Sequence, residues 1–129
     1  MTFEGIMSDL KAAKYKPVYF LMGEEPFFID LITDYLGEHV LSAEERSFNQ
    51  LVLYGRDTDM KTVVSSARRY PMMASRQVII VREAQQLKNM EGLESYLTAI
   101  MPSTVLVFAY KYKKLDKRTK LAKLLAEKS

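Results

Sequence analysis

The stretch Pro17-Val18-Tyr19-Phe20-Leu21-Met22-Gly23-Glu24-Glu25-Pro26-Phe27-Phe28-Ile29 decides the fold. Val18 to Met22 run without a polar interruption. That length suits a strand, and unbroken apolarity suits a strand covered on both faces, as in a parallel sheet. Gly23 ends the run. Two acids and an early proline follow, which are helix-start signals: carboxylates complement the positive helix N-terminus, and proline fits the first turn. Strand, tight turn and helix in immediate succession form the opening unit of an α/β domain.

The pattern continues in both directions. Upstream, Phe3, Ile6, Met7 and Leu10 recur at helical spacing, and Pro17 breaks the chain after Lys14-Tyr15-Lys16. Downstream, Phe28, Ile32, Tyr35 and Leu36 share one helical face, and Phe48 to Tyr54 reads as a second strand closed by Gly55. Met60, Val63, Val64 and Ala67 mark another helix. Tyr70-Pro71-Met72-Met73 interrupts the periodicity, because proline drives the residue before it out of helical dihedrals. Val78 to Val81 predicts a third strand. Met90, Leu93, Leu97 and Ile100 predict a helix that Pro102 stops. Val105 to Tyr110 predicts a fourth strand, and Leu121, Leu124 and Leu125 lie on one face of a last helix. Alternating short strands and amphipathic helices predict an α/β fold, a parallel sheet with helices on both faces and right-handed crossovers. The 129 residues suit a single domain over 1–129 with one core. There is no internal repeat. The last helix reaches the chain end with no linker or cap, which suggests a fragment of something longer.

Composition narrows the chemistry. With 48% hydrophobic and 27% charged residues, the chain can bury a core and is not of the disordered class. It has no cysteine, which excludes disulfides and thiolate metal sites. The single histidine, His39, excludes a two-histidine zinc site and reads as a polar residue near a helix end. No apolar run approaches the roughly 18 residues of a membrane helix. Glu4 and Asp9, without a basic stretch, argue against a secretory signal. A soluble cytoplasmic domain with no membrane partner is expected. The net charge of +3 is uneven: residues 111–129 carry a local balance of +6, and the remainder is acidic.

The first strand–helix junction lacks what a nucleotide needs. A P-loop reads Gly-x-x-x-x-Gly-Lys-Ser/Thr, with glycines to turn amides toward phosphate, lysine to neutralise it and a hydroxyl for magnesium. Here Gly23 survives, but Phe28 replaces the second glycine, Ile29 the lysine and Asp30 the hydroxyl. Glu24 and Glu25 would repel triphosphate, each by about 1–4 kcal/mol depending on local dielectric. The third strand ends in Arg82-Glu83, where many NTPases carry an Asp-Glu pair. A cation at the aspartate position opposes magnesium. Glu83 alone reads as a helix-starting or ion-paired carboxylate. No cofactor, no metal and no catalytic residue is expected, so the domain is not read as an enzyme.

Three stretches carry a family resemblance. Residues Pro17 to Ile29, the segment Ala74-Ser75-Arg76-Gln77-Val78-Ile79-Ile80-Val81-Arg82-Glu83-Ala84, and Lys113-Lys114-Leu115-Asp116-Lys117-Arg118-Thr119-Lys120-Leu121 resemble, in the same order, the N-terminal domain of the delta subunit of the bacterial DNA polymerase III clamp loader. The resemblance implies an AAA+-like module that has lost ATP binding, without the lid and collar helical domains that follow it in the family. The family is part of a holoenzyme with DNA-directed DNA polymerase activity, but no catalytic step is implied for this domain. The resemblance further implies that Tyr70, Met72 and Met73 contact the beta sliding clamp and help open it. Family members can carry a leucine and then an aromatic residue at the last two positions; here both are methionine. Other clamp-loader subunits would be partners of the full-length protein, and DNA an indirect one through the complex.

Two signals stay open at the level of sequence. Met72-Met73 beside a proline could fill the core, but helix-to-strand connections run over the surface and methionine adapts to partner grooves. Lys113, Lys114, Lys117, Arg118 and Lys120, with Lys123, could track phosphates as a basic nucleic-acid-binding module, or form a solvated helix face or a subunit contact. Arg76 could bond backbone carbonyls of the connection after Met73 or pair with an acid on a partner.

Overall fold

The runs Val78 to Val81 and Val105 to Tyr110 lie at the centre of the sheet and are buried throughout. The computed structural model describes residues 3–128, with side chains to residue 127. Four strands are present among the described residues: β1 (Val18–Gly23), β2 (Gln50–Tyr54), β3 (Gln77–Arg82) and β4 (Thr104–Lys111). Every pairing is parallel, in the order β1-β4-β3-β2, with Val18 opposite Leu106, Val78 opposite Val105 and Gln50 opposite Val78. The helices are α1 (Phe3–Lys11), α2 (Pro26–His39), α3 (Ala43–Asn49), α4 (Met60–Ala67), α5 (Leu93–Leu97) and α6 (Lys120–Lys128).

Strand alternation divides the core into two layers. Ile79, Val81, Leu106 and Phe108 pack against Val63 of α4, Tyr96 of α5 and Leu121 and Leu125 of α6. Val78, Ile80, Val105 and Val107 face the other way, against Leu10 of α1 and Ile29, Ile32 and Leu36 of α2. Full burial of one such side chain contributes about 1.5–3 kcal/mol. Both faces are therefore closed by helices, as the apolar runs predict. The edge strands are less covered: Met22 on β1 and Val52 and Tyr54 on β2 are exposed.

The structure departs from the sequence reading in three places. The second strand begins at Gln50 rather than Phe48, because α3 precedes it. Ser42 accepts from the Glu45 amide at 3.2 Å while the Glu45 carboxylate accepts from the Ser42 amide at 3.0 Å, a reciprocal cap that starts a helix running to Asn49. The helix expected from Met90 to Ile100 is shorter. Asn89 is left-handed, Met90–Gly92 form a 3₁₀ turn, and only Leu93–Leu97 are α-helical. On α2 the buried stripe is Ile29, Ile32, Thr33 and Leu36, so Phe28 faces outward.

Two buried polar side chains close the C-terminal end of α4. Thr104 donates to the carbonyl of Ala67 at 2.6 Å, and the Gln77 amide nitrogen lies 2.8–3.3 Å from the carbonyls of Ser66, Ala67 and Arg69. They occupy the helix-end carbonyls that have no partner within α4. At the opposite end of the sheet, Gly55 follows β2 and packs against the turn after β3. A Cβ there would collide with the Glu83 carbonyl oxygen and stand 3.0 Å from the Leu87 amide nitrogen. Gly55→Ala should therefore lower stability by about 2–3 kcal/mol, the scale of overpacking against atoms that cannot move aside. Denaturant unfolding measures it, and a variant as stable as the parent would mean the two turns do not meet this closely.

Candidate functional site

At the C-terminal end of the sheet, where parallel α/β folds place their ligands, the chain's own charges meet. Lys111 ends β4. Its ammonium lies 2.8 Å from Asp30 Oδ1 on α2 and 3.0 Å from Glu83 Oε2 just after β3. The Lys111 side chain is only 12% exposed. Gln85 supports the same cluster: its Nε2 donates to Glu83 Oε1 at 2.8 Å, and its Oε1 accepts from the Lys111 amide at 3.0 Å. Arg82 turns aside to Asp34 at 2.8 Å. Glu83 itself has φ 52°, a left-handed backbone uncommon for a non-glycine residue.

The electrostatics are consistent with this geometry. The hydrogen bond from Lys111, helped by that from Gln85, holds the Glu83 carboxyl below its ordinary range. For Lys111, burial pulls the ammonium down, but hydrogen bonds and charge from Asp30 and Glu83 outweigh it and hold its pKa up.

The positions read against a P-loop fall as follows. Gly23 ends β1 at φ 155°. Phe28 leans on Phe3 and Phe27, with ring centroids at 4.7 and 5.3 Å. Ile29 points into the core, so its position offers no cation. Asp30 is held by Lys111. The α2 N-terminus, which would attract a phosphate, is capped by the chain's own Glu25, whose carboxylate accepts from the Phe27 amide at 3.1 Å. A carboxylate sits where an anion would bind, and the largely buried Lys111 ammonium is already neutralised by two acids.

The opposite end of the sheet carries the Tyr70–Met73 connection between α4 and β3. Tyr70 is 81% exposed, Met72 61% and Met73 100%. None of the three fills the core. The backbone beneath them is held. The buried Asn49, last residue of α3, accepts from the Met72 amide at 2.6 Å and donates to the Met72 carbonyl at 2.7 Å. Met73 is left-handed at φ 56°. On the α4 side, Arg68 donates to the Ala99 carbonyl at 2.8 Å and lies over the Tyr96 ring at 4.9 Å. On the β3 side, the Arg76 guanidinium lies 5.4 Å from the Tyr15 ring centroid, a cation–π contact that the sequence reading did not consider. Phe48, one residue before Asn49, is 72% exposed. Sequence reasoning missed both residues by placing Phe48 in a strand. The Ser42-x-x-Glu45 capping box was the signal that could have found the helix.

Part of the basic segment is engaged within the chain. Arg118 is tied to Asp116 at 2.8 Å, Lys120 approaches Glu94 at 3.9 Å, and Lys113 sits 5.8 Å over the Tyr110 ring. Lys114 borders a groove along β1, and Lys117 is exposed. Lys111, counted with this segment by charge, belongs instead to the strand-end cluster. His39 stacks on Tyr35 with centroids 4.0 Å apart, and its Nδ1 lies 3.0 Å from the Tyr35 carbonyl.

Known proteins place these features in context. The family model described as DNA polymerase III, delta subunit, matches residues 19–129. The DNA polymerase III subunit delta of Bacillus subtilis (strain 168) is 30% identical, over 97% of this chain and 39% of that protein. The solved structure of the Bacillus subtilis DNA clamp loader delta protein superposes with a TM-score of 0.86 at 27% identity, covering 99% of this chain and 41% of that one. A DNA polymerase III gamma subunit-related protein of Thermotoga maritima shares the fold, with a TM-score of 0.64 at 12% identity over 92% of this chain and 42% of that one. The chain thus spans about two fifths of the length of the delta relatives it matches.

The strand-end cluster sets a pH signature. A carboxyl held down, as Glu83 is, adds stability above its ordinary pKa of 4.5 and loses it as pH falls through the lowered folded value. A lysine held up adds stability below its ordinary 10.5 and loses it as pH rises through the raised folded value. Lys111→Met removes the cation and leaves two carboxylates facing each other. It should cost about 1–2 kcal/mol at neutral pH, less than for a fully buried pair because both acids reach solvent. Below pH 4.5 the gap to the parent should narrow, as protonation relieves the repulsion. Urea midpoints from pH 3 to 8 measure both effects, and a constant gap would rule out the cluster as their source.

Proposed function

Because the chain belongs to the DNA polymerase III delta-subunit family, we propose that it is the clamp-contacting domain of a clamp-loader delta subunit. In this reading it binds the beta sliding clamp and helps open it during DNA replication in the cytoplasm, without hydrolysing nucleotide. The carrying observation is the exposed methionine pair on a pinned backbone. Neighbouring exposed apolar side chains mark interaction surfaces more often than single ones do, and methionine fits itself to apolar pockets. Tyr70 stands beside the pair as an amphipathic neighbour of the kind enriched at interfaces.

The mechanism is mechanical. Met72 and Met73 enter an apolar pocket on the clamp near its subunit junction. The complex favours the opened junction to the extent that the domain binds the open clamp more tightly than the closed one, and by no more than that difference. Nucleotide control belongs to neighbouring loader subunits, and DNA is reached through the assembled complex. What supports an inactive nucleotide site here is the Lys111–Asp30–Glu83 cluster and the Glu25 cap. Together they take up the charges and the helix end that a triphosphate needs.

Two measurements test the reading. Titration against the beta sliding clamp from the same source should give saturable binding, weakened by about 2–4 kcal/mol in the Met72→Ala, Met73→Ala double variant, the loss expected when two anchoring side chains are truncated. Unchanged affinity in a folded double variant would refute the docking site. Millimolar ATP with magnesium should leave the thermal unfolding midpoint where it was, since a ligand that does not bind the folded state does not stabilise it. A clear upward shift would restore a nucleotide function.

A further inference from the structure

Asn49 holds both backbone polar groups of one residue, Met72, which lies in a bend of the connection between α4 and β3. Its oxygen accepts from the Met72 N–H and its nitrogen donates to the Met72 carbonyl. The pair of bonds copies a strand ladder, with a side chain in place of the second strand. The amide nitrogen also donates to the Glu45 carbonyl at 3.2 Å, which anchors it to the last turn of α3. Asn49 is 5% exposed, so these bonds are shielded from competing water.

The residue so held is followed at once by the strained one. Met73 adopts φ 56°, which is unfavourable for a non-glycine residue, and such conformations persist only where the surroundings over-determine them. The Met73 side chain is fully exposed and makes no packing contact that could hold it. The restraint comes through the backbone, and the nearest polar restraints on that backbone are the two bonds from Asn49.

We infer that Asn49 is the positioning residue of the docking tip: it fixes the backbone at Met72 so that Met72 and Met73 are presented to the clamp in their bound arrangement. This rests on the docking role proposed above for the two methionines. Ordering the tip before contact lowers the entropy cost of binding, which is how a residue that touches no partner raises affinity.

The test is a double-mutant cycle on the full chain, read as the Kd for the beta sliding clamp, with thermal unfolding followed for every variant. Asn49→Ala should bind roughly tenfold more weakly, the scale of losing hydrogen bonds that order a loop. Added to the Met72→Ala, Met73→Ala chain, the same substitution should weaken binding little further, because the side chains it positions are gone. Asn49→Asp is the second probe. It keeps the acceptor for the Met72 amide but sets a carboxylate against the Met72 carbonyl, and it should weaken binding in the same direction. It also decides the matter if the alanine variant does not fold. Wild-type affinity in a folded Asn49 variant overturns the inference, as does an equal loss in both methionine backgrounds. Wild-type affinity in the methionine double variant overturns the docking role itself, a result distinct from either.

Discussion

β3 and β4 are covered on both faces, and a strand so covered can meet solvent only at its two ends. That constraint distributes everything else in the chain. Helices must close both faces, so α1 and α2 take one and α4, α5 and α6 the other. Charged and adaptable groups are displaced to the rims. One rim holds the C-terminal ends of the strands, with Lys111, Asp30 and Glu83. The other holds the connection into β3, with Tyr70, Met72 and Met73. A strand of this length separates them by about 17–20 Å, so the two rims can change independently.

The separation lets the two rims be organised by unrelated interactions. At the C-terminal rim a lysine from β4 bridges the helix and the turn that would flank a phosphate. It forms an internal cross-link among α2, the turn after β3 and β4. Such a cross-link supplies from within the chain the cation–carboxylate contact that a bound metal or nucleotide would otherwise organise. The opposite rim is unaffected. Its geometry depends on Asn49, Gln77 and Thr104, which bond backbone groups rather than ligands.

The strands were legible because an apolar run walled in on both faces needs no tertiary information to be recognised: Val18 to Met22, Val78 to Val81 and Val105 to Tyr110 all fall where the sequence puts them. That Phe28, Ile29, Asp30 and Arg82 do not match a nucleotide-site pattern could be read from the sequence for a similar reason, since such motifs are local. What was not readable depends on pairs far apart in the chain. Asn49 meets Met72 across 23 residues, and nothing in the composition of either segment announces the contact. Lys111 looks like the first charge of a basic tail, and only the parallel register that brings the end of β4 beside the turn after β3 shows where it belongs. α3 was a local miss. Its capping box was present, but Phe48 beside an apolar run favoured a strand.

The full exposure of Met73 has a chemical side as well as a mechanical one. A thioether in open solvent is readily oxidised, and the sulfoxide is polar and chiral where the parent side chain is apolar and flexible. The chain has no cysteine, so no thiol of its own competes for the oxidant. A leucine or an aromatic residue at the same position would offer comparable apolar surface without this liability. A tip built from methionine thus ties its apolar character to the redox state of its surroundings, and methionine sulfoxide reductases become the enzymes that can restore it.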